Sequence, residues 1–204
     1  MFAYIRDGQL VKVSNEDNVE WDGLTIPHVS LLTQEERRAA GIYDFVHADQ
    51  APAYHRAGAT TYVIDDVAGT VTEVVELIPL DKAAVAAARK VELAAYRYNK
   101  ETGGIVVGGA EIKTDRESQS QLNGAYTSLK NSLIPDTPWK AAGGVWVPVT
   151  LMELEPIATA VAAHVRACFK AERSHAEAMD AIVADPNGTV DDLAAYDYTT
   201  GWPA

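Results

Sequence analysis

Two clusters in the sequence carry residue types that could do chemistry. In the first, His164, Cys168, Glu172 and His175 recur on one face of a helical segment, and Glu172-x-x-His175 has the spacing that di-iron bundles use. Such a site needs a second Glu-x-x-His and two further carboxylates from other helices, and the sequence holds no second copy of the pair. These residues therefore read better as polar positions in a helical seam, setting register or oligomer state, than as metal ligands. The second cluster is Thr114-Asp115-Arg116-Glu117-Ser118-Gln119, followed by Leu122, Gly124 and Ala125. Its three charges could form a catalytic group, but their place at the start of a helix favours dipole and capping roles. Thr114 and Glu117 fit the reciprocal S/T-x-x-E capping box, and Ser118 and Gly124 would keep the helix face small for a close neighbour. Ser118, Leu122, Ala125, Leu129 and Leu133 then continue one apolar stripe.

Other motifs fall to the same weighing. Gly103-Gly104-Ile105-Val106-Val107-Gly108-Gly109 lacks the Lys-Ser/Thr of a phosphate loop and the glycine spacing of a dinucleotide site, so tight turns explain it. Asp185-x-Asn187-Gly188 has its glycine too early for a calcium loop and reads as a plain turn. There is no Gly-x-Ser-x-Gly elbow and no His-Glu-x-x-His. Trp139, Trp146, Tyr96 and Tyr98 could stack on sugars or bases, but beside amphipathic helices they fit a core or an interface. No catalytic residue, cofactor or metal is expected.

Composition narrows the class. The 204 residues, 48% of them hydrophobic, are those of an ordinary globular chain of one or two domains. A net charge of −12 without a basic stripe argues against nucleic-acid binding. The single cysteine, Cys168, excludes an internal disulfide and sits in an apolar helical pattern. Met1 to Arg6 lacks the basic and apolar regions of a classical export signal, and no later run approaches the ~20 apolar residues that span a bilayer, so a soluble chain without membrane insertion is expected.

The elements that must position these residues follow from periodicity. Phe2 to Ile5 and Leu10 to Val13 predict a hairpin turned at Asp7-Gly8, and Trp21-Asp22-Gly23-Leu24 predicts another turn. Thr33 to Glu36 repeats the capping box before a short helix ended by Gly41. The stretch from Ile42 to Ala57 shows no clean period and reads as a loop with at most one short strand, whereas Thr60–Asp65 and Thr70–Leu77 read as a hairpin. Asp81 should cap a helix whose stripe is Leu80, Ala84, Ala87, Val91, Ala94 and Tyr98. Glycine-turned hairpins are expected at Gly108-Gly109 and at Gly143-Gly144. Thr150 opens the longest helix, with Leu151, Leu154, Ala158, Val161, Val165, Cys168, Glu172, His175, Met179 and Ile182 in three-four alternation and Pro156 kinking it or marking its true start. Thr189 should cap a last short helix before a tail from Gly201.

The predicted fold is α+β: a β-rich N-terminal domain over 1–78, a long-helix hairpin or bundle domain with inserted β-hairpins over 79–184, and a C-terminal turn, short helix and tail over 185–204. With Arg89, Arg97, the Gly103–Gly109 turn, the Thr114–Gln119 run, Trp139-Lys140, Gly144–Val147 and His164–Phe169 laid out, the chain resembles an uncharacterised domain of tail-associated proteins of tailed bacteriophages. The resemblance implies a virion structural protein of the tail, in a fibre, tip or adaptor, made in the host cytoplasm and acting by assembly without catalysis. Its expected partners are other tail proteins and further copies of itself, with a trimer as the expected oligomer and the faces of the two long helices as the assembly seams. Two rivals are a tail-fibre assembly chaperone not retained in the virion and a metal-dependent enzyme using His164, Glu172 and His175.

Overall fold

The computed structural model describes residues 1–140 and 144–203. The chain is mixed α+β and divides into two compact units, Met1–Leu80 and Asp81–Ala204.

The first unit opens with β1 (Phe2–Arg6) and β2 (Gln9–Ser14), antiparallel across Asp7 and Gly8, whose φ angles of 53° and 73° give the turn its twist. β3 (Val19–Trp21) and β4 (Leu24–Ile26) form a second hairpin. A 3-10 turn at Val29–Leu31 leads to α1 (Gln34–Ala39), where Thr33 Oγ1 accepts from Glu36 N–H at 3.2 Å and Glu36 reaches back to Thr33 N–H at 2.8 Å. Gly41 ends α1 at φ 72°, and a Cβ there would stand 2.6 Å from the Ile5 carbonyl oxygen, so only glycine fits.

β5 (Ile42–Val46), β6 (His55–Asp65) and β7 (Thr70–Pro79) complete a five-stranded sheet in the order β2-β1-β5-β7-β6, with β5 parallel to β7 and the other pairs antiparallel. The one short strand allowed between Ile42 and Ala57 is β5, which is central to the sheet, and β6 starts at His55, ahead of the expected Thr60. Ile42 and Tyr43 point to opposite faces and are both buried, Ile42 with Tyr4, Val19, Trp21 and Val29, Tyr43 with Ala3 and Val71. A strand covered on both faces shows no alternation for a sequence reading to detect. β7 pairs with β5 from Thr70 to Thr72, and beyond that point, among the described residues, it pairs with β6 alone.

The second unit begins with α2 (Lys82–Thr102), capped by Asp81, whose carboxylate accepts from Ala84 N–H at 2.8 Å. β8 (Ile105–Val107) and β9 (Ala110–Ile112) turn at Gly108 and Gly109, and α3 (Arg116–Lys130) follows. β10 (Thr137–Lys140) pairs with β11 (Trp146–Val149); Gly143 of the expected Gly143-Gly144 turn lies outside the described residues. α4 (Leu151–Ala184) starts ahead of Pro156 and runs through it, and α5 (Val190–Ala195) is capped by Thr189. No helix among the described residues is long and apolar enough to cross a membrane.

α2 and α4 run antiparallel, as the pairs Lys90–Asp180, Arg97–Glu172 and Lys100 O–His164 show. Leu122 and Leu129 of α3, Val149 of β11, and Leu154 and Val161 of α4 form a core cluster. The two predicted stripes fare differently. On α4, Leu154, Val161, Cys168 and Met179 are buried, and Leu151, Ala158, Val165, Glu172, His175 and Ile182 are half-buried. On α2 the expected stripe faces solvent: Leu80, Ala84, Ala87, Val91 and Tyr98 are exposed and Ala94 is half-buried. The buried residues of α2 are Val85, Ala86, Leu93 and Glu101.

Candidate functional site

The densest polar constellation lies where the end of α2, the start of α3 and the middle of α4 meet. Its centre is Glu101, a carboxylate with no solvent exposure. Arg97, one turn earlier on α2, pairs with Glu101 and also donates from Nε to Glu172 Oε2 at 3.1 Å. Arg116 reaches Glu101 Oε1 at 3.1 Å and Oε2 at 3.2 Å from the first turn of α3. Gln119 Nε2 donates to Glu101 Oε1 at 3.3 Å and to the Thr114 carbonyl at 2.6 Å. The Glu101 charge is therefore met by two guanidiniums and an amide, which is what keeps a buried carboxylate affordable.

The Thr114–Gln119 run is explained residue by residue. The expected Thr114–Glu117 capping box is corrected by one position: the cap is Asp115, which accepts from Ser118 N–H at 2.9 Å and Ser118 Oγ at 2.7 Å. Those bonds, the backbone one foremost, hold the Asp115 carboxyl below its usual range. Thr114 is fully buried, and its hydroxyl accepts from Gly104 N–H at 2.9 Å, tying the end of α2 to the start of α3. Glu117 instead accepts from Gln121 at 3.1 Å on the exposed side. Gly124 does not serve a close neighbour, since a Cβ there would meet nothing within 4 Å.

The glycines at the end of α2 border an open depression of about 520 Å³ lined by Thr102, Gly104, Ile105, Glu111, Lys113 and Asp115. The Gly104 N–H that a phosphate would need is already held by Thr114.

The four seam residues weighed as ligands are placed apart in function. His164 donates from Nε2 to the Lys100 carbonyl at 3.1 Å. Cys168 lies 3.7 Å from that ring, and its thiol is pushed up by burial and by the Glu101 charge, so it stays protonated and unreactive at neutral pH. Glu172 belongs to Arg97. His175 donates from Nε2 to the Thr200 carbonyl at 2.9 Å, which leaves Nδ1 to accept from the Tyr196 hydroxyl at 2.8 Å. Among the described residues no group of three or more His, Cys, Asp or Glu could hold a metal.

Two features escape a sequence reading. Glu101 carries one legible signal, its place four residues after Arg97. The other is the chain end, expected as a tail, which is bound along α2 and α4. Arg89 donates to the Tyr196 carbonyl at 2.6 Å, Tyr96 to the Thr199 carbonyl at 3.2 Å, and Trp202 stacks on His175 at 5.7 Å between ring centres. Aromatic rings far apart in sequence left no periodic trace of this contact.

Comparison with known proteins bears on the second unit. A family model described as a domain of unknown function, DUF4376, matches residues 84–200. No curated protein and no solved structure matches. The matched span takes in the Arg97–Glu101–Arg116 cluster, the Thr114–Gln119 run and most of the strapped chain end, and it covers more than half of the sequence. The chain belongs to the DUF4376 family.

Proposed function

We propose that this chain is a structural component of a bacteriophage tail, in a fibre, tip or adaptor, working through protein–protein assembly rather than catalysis. The observation that carries the reading is the uncovered face of α2. Ala84, Ala87 and Val91 lie on it with Tyr98, and Val91 is 72% and Tyr98 46% exposed. Small residues there let a partner helix approach closely, and the two larger side chains supply the apolar contact that a helix–helix interface needs. The expected second seam, on α4, is covered within the chain by residues of the unit's own core. Assembly therefore falls to α2, with other tail proteins and further copies of this chain as its partners and a trimer as the expected oligomer.

The polar cluster supports the same reading. Every member of the Thr114–Gln119 run except Glu117 is engaged in capping or in the contacts that join α2 to α3. Mass spectrometry of purified virions tests the proposal, with the chain expected in fixed ratio to other tail proteins. Its absence from the particle, with recovery bound to fibre protein in the infected cell, would overturn the structural role in favour of an assembly chaperone.

A further inference from the structure

The N-terminal unit lies outside the family-matched span, and its sheet has one edge built like an interface. β6 is the outermost strand: β7 flanks it on one side and, among the described residues, no strand flanks the other. At 11 residues it is the longest strand of the sheet. Its outer row of N–H and C=O groups is a template for another strand, and monomeric proteins blunt such edges with lysine, proline or a short strand. From Ala57 to Ile64 β6 has no charge and no proline. A register shift between Ala57 and Thr60 leaves Thr60–Asp65 in regular pairing with β7. Neighbouring side chains on opposite faces are both open to solvent, Tyr62 at 45% and Val63 at 56%.

The rest of the arm points the same way. Beyond Thr72, among the described residues, β7 has only β6 paired with it, so the outer arm is a two-stranded ribbon. Two strands alone are marginal in water, and a third or fourth makes such a ribbon stable. The ribbon also exposes Val74 and Leu77. The loop after β5 lies beside β7, where Ala48 N–H donates to the Glu73 carboxylate at 3.3 Å. β6 remains as the edge for addition.

Charge selects the occupant. Arg56 stands at the start of β6, and Asp65 and Asp66 at its end. Two β6 strands side by side and antiparallel set the basic start of each on the acidic end of the other, whereas a parallel pair sets like on like. Thr60 of each copy then faces Thr60 of the other across the two-fold axis. We infer that β6 pairs antiparallel with β6 of a second copy of this chain, joining the two sheets edge to edge. The contact is isologous and closes on itself as a dimer. It uses no residue of the α2 face, so it stands whether or not the tail reading holds.

Cysteine substitution in the full-length chain reads the register directly. Cys168 is buried, so the wild-type protein is the background. Under mild oxidation Thr60→Cys should give a disulfide-linked dimer, while Arg56→Cys, at the far end of the strand from its own copy, should not. The double variant Thr61→Lys/Val63→Lys should halve the mass of the β6-dependent species in sedimentation with an unchanged far-UV circular dichroism spectrum. Val91→Glu on α2 should leave the Thr60→Cys cross-link intact even where it abolishes other assembly. A folded Thr60→Cys protein that gives no cross-link overturns the inference, as does equal cross-linking at positions 56 and 60, the mark of a parallel pair.

Discussion

Along α4 the residues at three-four spacing from Leu151 to Ile182 are buried or half-buried, while along α2 those from Ala84 to Tyr98 face solvent or lie half-covered. The period is the same on both helices, so period did not decide the difference. Side-chain size and charge pairing did. The α4 stripe holds Leu154, Val161 and Met179, each of which gains about 1.5–3 kcal/mol from burial, whereas an alanine gains far less. α2 also has a second face, with Val85 and Leu93 for packing and Arg97 placed to meet Glu101 and Glu172. Turning that face inward buries the larger apolar groups and satisfies the charges together. The alanine stripe is then left outside, free for a partner.

The largest effect is expected at Glu101. Glu101→Ala takes the buried carboxylate from between Arg97 and Arg116 and leaves Arg97 only Glu172, and the loss of one partner from a buried pair costs up to about 3–5 kcal/mol. Urea unfolding should show the midpoint fall with little change in slope, and an unchanged midpoint would mean that α2 is not oriented by this charge. Leu154→Ala comes next. It removes a side chain with no exposure from the core cluster, at a cost of about 2–5 kcal/mol.

Thr114→Val keeps the shape of a buried side chain and removes the acceptor for Gly104 N–H, with an expected loss of about 1–3 kcal/mol. Amide exchange at Gly104 should accelerate in that variant, which separates a lost hydrogen bond from a general loss of packing. The smallest effect on folding is expected at Val91→Ser, within about 0.5 kcal/mol because Val91 is mostly exposed. The same change should weaken self-association in sedimentation equilibrium. A large loss of stability at Val91, or none at Leu154, would reverse the assignment of the two stripes.

Much of the local structure was legible because it is written in short-range chemistry. Asp7-Gly8 and Gly108-Gly109 dictated their turns, Thr33 with Glu36 dictated the start of α1, and Asp81 that of α2. The candidate site was legible only in outline. The Thr114–Gln119 run announced a helix start, but the choice of Asp115 over Thr114 as its cap followed from Gly104, ten residues away, claiming the threonine hydroxyl. Glu101 was invisible as the centre of the cluster because two of its partners, Arg116 and Gln119, come from another helix.

By itself, then, the sequence determined the glycine turns, the starts of α1, α2 and α4, the α+β class, and the long seam of α4. Those rest on backbone sterics, capping and periodicity, which act over a few residues. Only the tertiary structure decided that Ile42–Val46 is a central strand, which face of α2 is buried, and that the last residues strap onto α2 and α4. Each of those depends on what a residue meets across the fold: two covered faces for β5, a carboxylate from α4 for Arg97, and the rings of Tyr96 and His175 for Trp202.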